Sequence, residues 1–238
     1  MKQPDAKILG LPRGGIGLRS ESSLHSSIRE LYSVPGDRFE VRVGDFVVDI
    51  VRDGLLIEIQ TKNFSSIRKK LRSLVENNNV RLVYPIPKGK TIVRVGISGN
   101  AVIGRRRSPK KGRLIDVFDE LVSIPDLIGE ERFTMDVLMI EEEEVRCDDG
   151  KGSWRRRGVS IKDRKLVNVV ERVTFRNKGD FFSFLPSNLR QPFTNKILAK
   201  SIGISVNQAQ KMTYCLRRMG AIKEVRKKGN ELLFEIAM

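Results

Sequence analysis

The 238-residue sequence holds only two cysteines, one histidine and one tryptophan. Cys147 and Cys215 stand far apart with no ligand spacing between them. Neither a structural zinc centre nor a disulfide framework is available, and a reduced, cytoplasmic setting is the expectation. Long apolar runs are missing too: none approaches the about 20 residues that cross a bilayer, so no membrane partner is expected. Residues 1–19 carry Gly10, Gly14, Gly15 and Gly17 but no apolar signal core, and read as a flexible arm. Acid is the remaining shortage. Against 45 Lys and Arg there are 29 Asp and Glu, a net charge of +16. A field of that sign attracts polyanions, nucleic acid before anionic membrane. Disorder is disfavoured because apolar runs such as Phe46 to Val51 and Leu55 to Ile59 recur.

What is present reads as a mixed α/β (α+β) chain. Leu24, Ile28, Leu31 and Tyr32 recur at helical spacing from Ser20 until Val34-Pro35-Gly36-Asp37 ends the pattern. Three strands follow, Phe39 to Val43, Phe46 to Val51 and Leu55 to Thr61, with hairpin turns at Gly44-Asp45 and Asp53-Gly54. A basic amphipathic helix spans about Phe64 to Glu76, with Ile67, Leu71, Leu74 and Val75 on one face. Val80 to Tyr84 and Thr91 to Val95 read as two short strands separated by Pro85 and Pro87. Further on, Arg105 to Arg113 reads as a basic loop, Leu114 to Val122 as a helix and Phe133 to Ile140 as a strand. Glu141 to Glu144 reads as a solvated acidic edge, Ile161 to Val173 as a helix and Phe181 to Leu185 as a helical turn. The expected divisions are 1–19 arm, 20–145 core with its basic loop, 146–191 extension with a helix, and 192–238 a compact tail.

Two acids stand inside otherwise apolar strands. Asp49 interrupts Val47 to Val51 and Glu58 interrupts Leu55 to Ile59. Burying a carboxylate without a partner costs several kcal/mol, so each needs a cation or donors. A hairpin at Asp53-Gly54 brings the two together, and paired carboxylates repel unless a divalent metal sits between them. Mg²⁺ or Mn²⁺ held by Asp49 and Glu58 would activate water for phosphodiester hydrolysis. Strand alternation puts Gln60 and Lys62 on the Glu58 side, where either orients that water and Lys62 offsets developing charge. The bland alternative is an ion pair of these acids with Lys62 or Arg52 across the hairpin. His25, on the helical stripe beside Leu24, reads as a packing or surface residue.

On these residues the segment 20–95 resembles the PD-(D/E)XK nuclease superfamily. The resemblance implies a restriction-endonuclease-like core of order α-β-β-β-α-β, with Asp49 as the motif Asp and Glu58 as the motif Glu. The motif lysine falls on Gln60, a departure that some restriction enzymes of the superfamily share. Lys62 lies two residues further along the same face. Members often add an acid from the first helix; Glu21 is the candidate metal ligand here, with Glu30 second. The combination of this core with the tail is also similar to the endonuclease subunit of heteromeric bacterial transposases. In that register Gln60-Thr61-Lys62 matches a Gln-X-Lys motif.

The tail supports a targeting role. Phe193-Thr194 opens a helix, Gly203 marks a turn, a second helix runs from Val206 to Met219, and Lys227-Lys228-Gly229-Asn230 turns a hairpin. Helix, turn, helix, hairpin is the order of a winged helix. Asn207, Gln208, Lys211, Arg217 and Arg218 on the second helix and Lys227 and Lys228 at the wing are the expected DNA contacts. Arg105, Arg106, Arg107, Lys110 and Lys111 are expected on phosphates, and Trp154 beside Arg155 to Arg157 as a core anchor or a base-stacking residue. The expected function is a metal-dependent DNA endonuclease targeted by a winged helix. The alternative is a non-catalytic DNA-binding regulator or architectural protein on a degenerate nuclease fold. A homodimer or a partner protein stays open in either case.

Overall fold

The computed structural model describes residues 22–97 and 101–237. The arm expected over 1–19 and Glu21 lie outside the described residues. The chain forms a mixed α/β structure around a seven-stranded sheet. Helix α1 (Ser23–Tyr32) leads into β1 (Arg38–Val43), β2 (Phe46–Arg52) and β3 (Leu55–Ile59), an antiparallel meander. Its second turn uses positive φ at both Asp53 (40°) and Gly54 (81°), the geometry a tight hairpin demands. Helix α2 (Arg68–Val75) then crosses to β4 (Asn79–Val95), which lies parallel to β3. The far half of β4 pairs with β5 (Val102–Arg107). After a short helix α3 (Phe118–Leu121), β6 (Phe133–Asp148) runs parallel to β4, and β7 (Val159–Phe175) returns antiparallel along β6. Helices α4 (Asn195–Ile202) and α5 (Val206–Arg218) and the hairpin β8 (Ile222–Lys228)–β9 (Glu231–Ile236) complete the chain. No helix among the described residues is long and apolar enough to cross a membrane.

The sheet separates two apolar layers. On one face Leu24, Ile28 and Tyr32 of α1 cover Ile50, Ile57, Ile59, Val83, Leu138 and Ile140. On the other, Leu71, Leu74 and Val75 of α2 cover Leu56, Val80 and Leu82. That second layer continues through Phe118, Leu121 and Phe181 into Leu198, Met212 and Leu216 of the C-terminal helices. The tail is therefore docked on the sheet's own core.

Several elements differ from the sequence expectation. The two strands around Pro85 and Pro87 are one strand, β4. Val83 accepts a hydrogen bond from Gln60 N–H on the β3 side. Pro85 and Pro87 have the same parity, so their imide nitrogens face that side, where β3 has already ended and no ladder bond is lost. The helix expected over Ile161 to Val173 is strand β7, paired with β6 along its length. Its β-branched Val167, Val169, Val170 and Val173 favour the pleated surface. The boundary expected after residue 145 falls inside β6, and the extension 146–191 supplies a sheet strand. The basic loop begins as β5, which carries Arg105, Arg106 and Arg107 in the sheet.

The acidic edge is half interior. Glu142 and Glu144 are buried, and Lys90 Nζ stands 2.8 Å from each. Strand alternation turns Glu141 and Glu143 the other way. Asp136 is fully buried too, accepting from Tyr32 Oη (2.9 Å), Thr174 Oγ1 (2.6 Å) and the Arg172 guanidinium (2.5 Å). This network ties α1 to β6 and β7.

Because one apolar layer joins sheet and tail, Leu216→Ala is expected to lower the stability of the whole molecule by about 2–5 kcal/mol in a single unfolding transition. Denaturant titration followed by circular dichroism checks this; two transitions, with only the first moved, would contradict it.

Candidate functional site

The site lies where the β1–β2–β3 ladders are interrupted. The β2–β3 pairs Arg52↔Leu55, Val51↔Leu56 and Ile50↔Ile57 make Asp49 and Glu58 the next positions in register. On the other edge the β1–β2 ladder skips Glu40 and Asp49, and Glu40 adopts φ 51°. A non-glycine residue at positive φ is costly and persists only where its surroundings impose it. With its strand locally released, Asp49 Oδ2 reaches over to accept the Ile59 backbone N–H at 2.7 Å. From α1, His25 Nε2 stands 3.4 Å from the same oxygen. The packing or surface role expected of this histidine did not include that contact.

Glu58 alternates with Ile57 and Ile59, so it points to the opposite layer from α1, towards α2. There Lys70 Nζ donates to Glu58 Oε1. Glu58 Oε2 is buried and has no hydrogen-bond partner among the described residues. Burial pushes the Glu58 carboxyl up to about 7, the Asp49 charge pushes the same way, and Lys70 pulls it back only in part. Two carboxylates thus share one region with a single close ammonium on Glu58.

The neighbouring residues follow the expectation less closely. Gln60 Nε2 donates to the carbonyl of Lys62 (2.6 Å) and lies 3.3 Å from that of Asn63, bracing the turn that launches α2. Asn63 itself adopts φ 60° there. Lys62 is exposed and lines two adjoining cavities. The cation that meets Glu58 is Lys70, which no motif along one strand contains: only the packing of α2 brings it there. Arg52, the other cation considered for these acids, is instead clamped on Asp37 at 2.8 Å. Glu30 is exposed near the far end of α1 from His25. Among the described residues no group of three or more His, Cys, Asp or Glu side chains could hold a metal ion.

The expected DNA contacts divide. On α5, Gln208 donates to Asp116 (2.9 Å), Lys211 pairs with Asp119 (2.9 Å) and Arg218 with Asp126 (2.8 Å). These three dock the helix onto α3 and its flanking turns. The exposed stripe is Asn207, Gln210, Tyr214 and Arg217, with Arg217 also pairing with Glu224 at 2.6 Å. Gln210 was not anticipated, though its spacing of three from Asn207 and four from Tyr214 marks the same face. Lys227 and Lys228 are exposed at the β8–β9 turn. Arg105 pairs with Glu143, Arg106 and Arg107 are exposed on β5, and Lys110 and Lys111 line separate cavities beside it.

The chain belongs to the family described as Domain of unknown function (DUF8091), whose model matches residues 22–176, the span from α1 to the end of β7. It is also similar to an "Uncharacterized protein" of Treponema pallidum (strain Nichols). The two are 30% identical over 215 residues, which cover 90% of this chain and 84% of the relative. No solved structure matches.

A carboxyl whose folded pKa is raised stabilises the fold fully below its unfolded value, and that contribution is lost as pH rises through the folded value. In a chelating buffer, wild-type stability is expected to fall by a few kcal/mol between about pH 4.5 and 7 from Glu58 alone. Glu58→Gln removes that slope, whatever its constant offset from Lys70. Melting curves of both proteins across this range check it; parallel slopes would contradict the assignment.

Proposed function

We propose that this protein is a metal-dependent DNA endonuclease of the PD-(D/E)XK type. The observation that carries the reading is the cross-strand pair itself: Asp49 beside a buried Glu58 whose Oε2 lacks a partner. The element order supports it. A helix, an antiparallel three-stranded meander, a crossing helix and a parallel fourth strand is the order that the resemblance implies, with the two acids on its second and third strands.

The donors fit Mg²⁺ or Mn²⁺. Both acids offer hard carboxylate oxygen, one of them orphaned, and Mg²⁺ takes one or two protein carboxylates while water and substrate phosphate fill its remaining positions. Asp49 and Glu58 would hold it, and Glu21 remains the candidate third ligand. When bound, such an ion lowers the pKa of a coordinated water and neutralises charge on the phosphate. The protein's own groups do the rest. The Ile59 N–H fixes the Asp49 carboxylate, and Lys70 fixes Glu58 through Oε1, leaving Oε2 without a hydrogen-bond partner. Lys70 also takes the electrostatic role of the motif lysine, since Gln60 is committed to its turn. Lys62 and Arg164, which line both adjoining cavities, bind the phosphate backbone. The tail acts as a winged helix that meets DNA with Asn207, Gln210, Tyr214 and Arg217 and with the Lys227–Lys228 turn.

Two observations favour the second reading, a DNA-binding protein on a degenerate nuclease fold: Gln60 braces a turn, and the two acids are joined by no third ligand among the described residues. A supercoiled plasmid incubated with the full chain and Mg²⁺, Mn²⁺ or EDTA separates the two. Cleavage is expected with either metal and none with EDTA. Asp49→Asn and Glu58→Gln should each lower the rate by about 100-fold or more, while band-shift affinity for the same DNA is retained. Binding without cleavage by the wild type would sustain the second reading.

A further inference from the structure

Strands β6 and β7 form the longest hairpin of the described residues, and its tip, residues 149–158, is built to a fixed shape. Gly150 and Gly158 adopt φ 71° and 82°, and Arg157 adopts φ 52°. Gly152 N–H donates to the Gly158 carbonyl at 2.7 Å, and a Cβ on Gly152 would lie 1.9 Å from the Val159 carbonyl oxygen. From this rigid tip Trp154 stands 83% exposed, with the Arg155 guanidinium 5.6 Å from its ring centroid. An indole of this size held in water on a shaped backbone presents a flat π-face available for stacking.

Beside the tip runs a groove of about 730 Å³ that connects it to the end of the β3 segment. Its charged lining is Lys62, Lys151, Arg156, Lys162, Arg164 and one acid, Asp163. Asp163 is already used, accepting from Ser23 N (3.0 Å) and Ser23 Oγ (2.5 Å) at the start of α1. Lys162 is held by Asp149 at 2.6 Å. Thr61, Lys62 and Arg164 line a second cavity of about 370 Å³ as well, so the two are continuous around the end of the motif strand. The groove therefore offers a polyanionic strand a basic path from Lys62, just past the end of β3, to Gly152, Ser153 and Arg156, which flank Trp154 in the tip.

We propose that the β6–β7 tip is a base-stacking element, and that the substrate is DNA with unpaired bases next to the cleavage site. This rests on the nuclease reading for its substrate role. Inside a closed duplex both faces of each base are covered by its neighbours, so away from the two terminal pairs the indole finds a π-face only at an unpaired, frayed or single-stranded base. Arg155 occupies one side of the ring and the exposed opposite side receives the base, while the cations of the groove track the phosphates.

Trp154 is the sole tryptophan, so its emission reports on the tip alone. The experiment titrates the full chain, in EDTA, with single-stranded oligodeoxythymidine, with a blunt duplex of equal length, with that duplex bearing a single-stranded tail, and with heparin, a polyanion without bases. Strong quenching is expected from the single strand and the tailed duplex and little from the blunt duplex or heparin. Trp154→Ala should weaken the single strand about 5- to 100-fold, the range of one lost base stack, with Trp154→Phe recovering much of it and blunt-duplex affinity unmoved. Equal quenching by heparin or the blunt duplex, or unchanged single-strand affinity in Trp154→Ala, would overturn the proposal. Trp154 is exposed, so the variant keeps its fold. The nuclease reading fails separately: stacking that persists in a protein that never cleaves removes the enzyme and leaves this element, whereas cleavage with an unresponsive Trp154 does the reverse.

Discussion

A carboxylate kept inside a sheet sets the terms for the structure around it. Glu58 is buried in a strand whose neighbours Ile57 and Ile59 seal one apolar layer. Its charge is met on one oxygen only, by Lys70 from the crossing helix. That requires α2 to launch at a fixed place, which the Gln60 amide secures by bracing the turn at Lys62 and Asn63. Against that compensation Asp49 approaches from the next strand with a like charge, a position that the break in the β1–β2 ladder and the strained Glu40 allow. Removing one partner from such a pair leaves an uncompensated buried charge, so a fold that keeps the arrangement gains something besides stability.

The rest of the molecule holds that region against a cationic surface. The buried Asp136 cluster and the Lys90 contacts to Glu142 and Glu144 fix β6 beside β4 and keep several acids off the exterior. The acids that remain on the surface near α3 are used to seat α5, through Asp116, Asp119 and Asp126. Docking orients the tail so that a single stripe of α5 faces outward, and the shared apolar layer makes sheet and tail one packed body.

Much of this was legible in the sequence. Alternation in β2 and β3 and the Asp53-Gly54 turn were enough to bring Asp49 and Glu58 together, because hairpin register follows from turn length. The tail was legible for the same reason, its cap at Thr194 and turn at Gly203 being local signals. What escaped is tertiary. Nothing in a one-strand motif points to Lys70, whose relation to Glu58 exists only once α2 packs. Pro85 and Pro87 broke β4 on paper, since the safe edge they face depends on where β3 stops. The β-branched run in β7 was lost in a spacing that also suits a helix, and the pairing of Gln208, Lys211 and Arg218 with Asp116, Asp119 and Asp126 is tertiary and has no local signal. The buried halves of the Glu141 to Glu144 run follow from strand parity, but only once β6 is known to extend that far.

Calorimetric titration of Mn²⁺ into the full chain tests whether Asp49 and Glu58 together hold a divalent ion. The wild type should bind an ion that the Asp49→Asn/Glu58→Gln double variant does not, with both proteins folded by circular dichroism. Equal binding by the two proteins, or none by the wild type, would contradict the account.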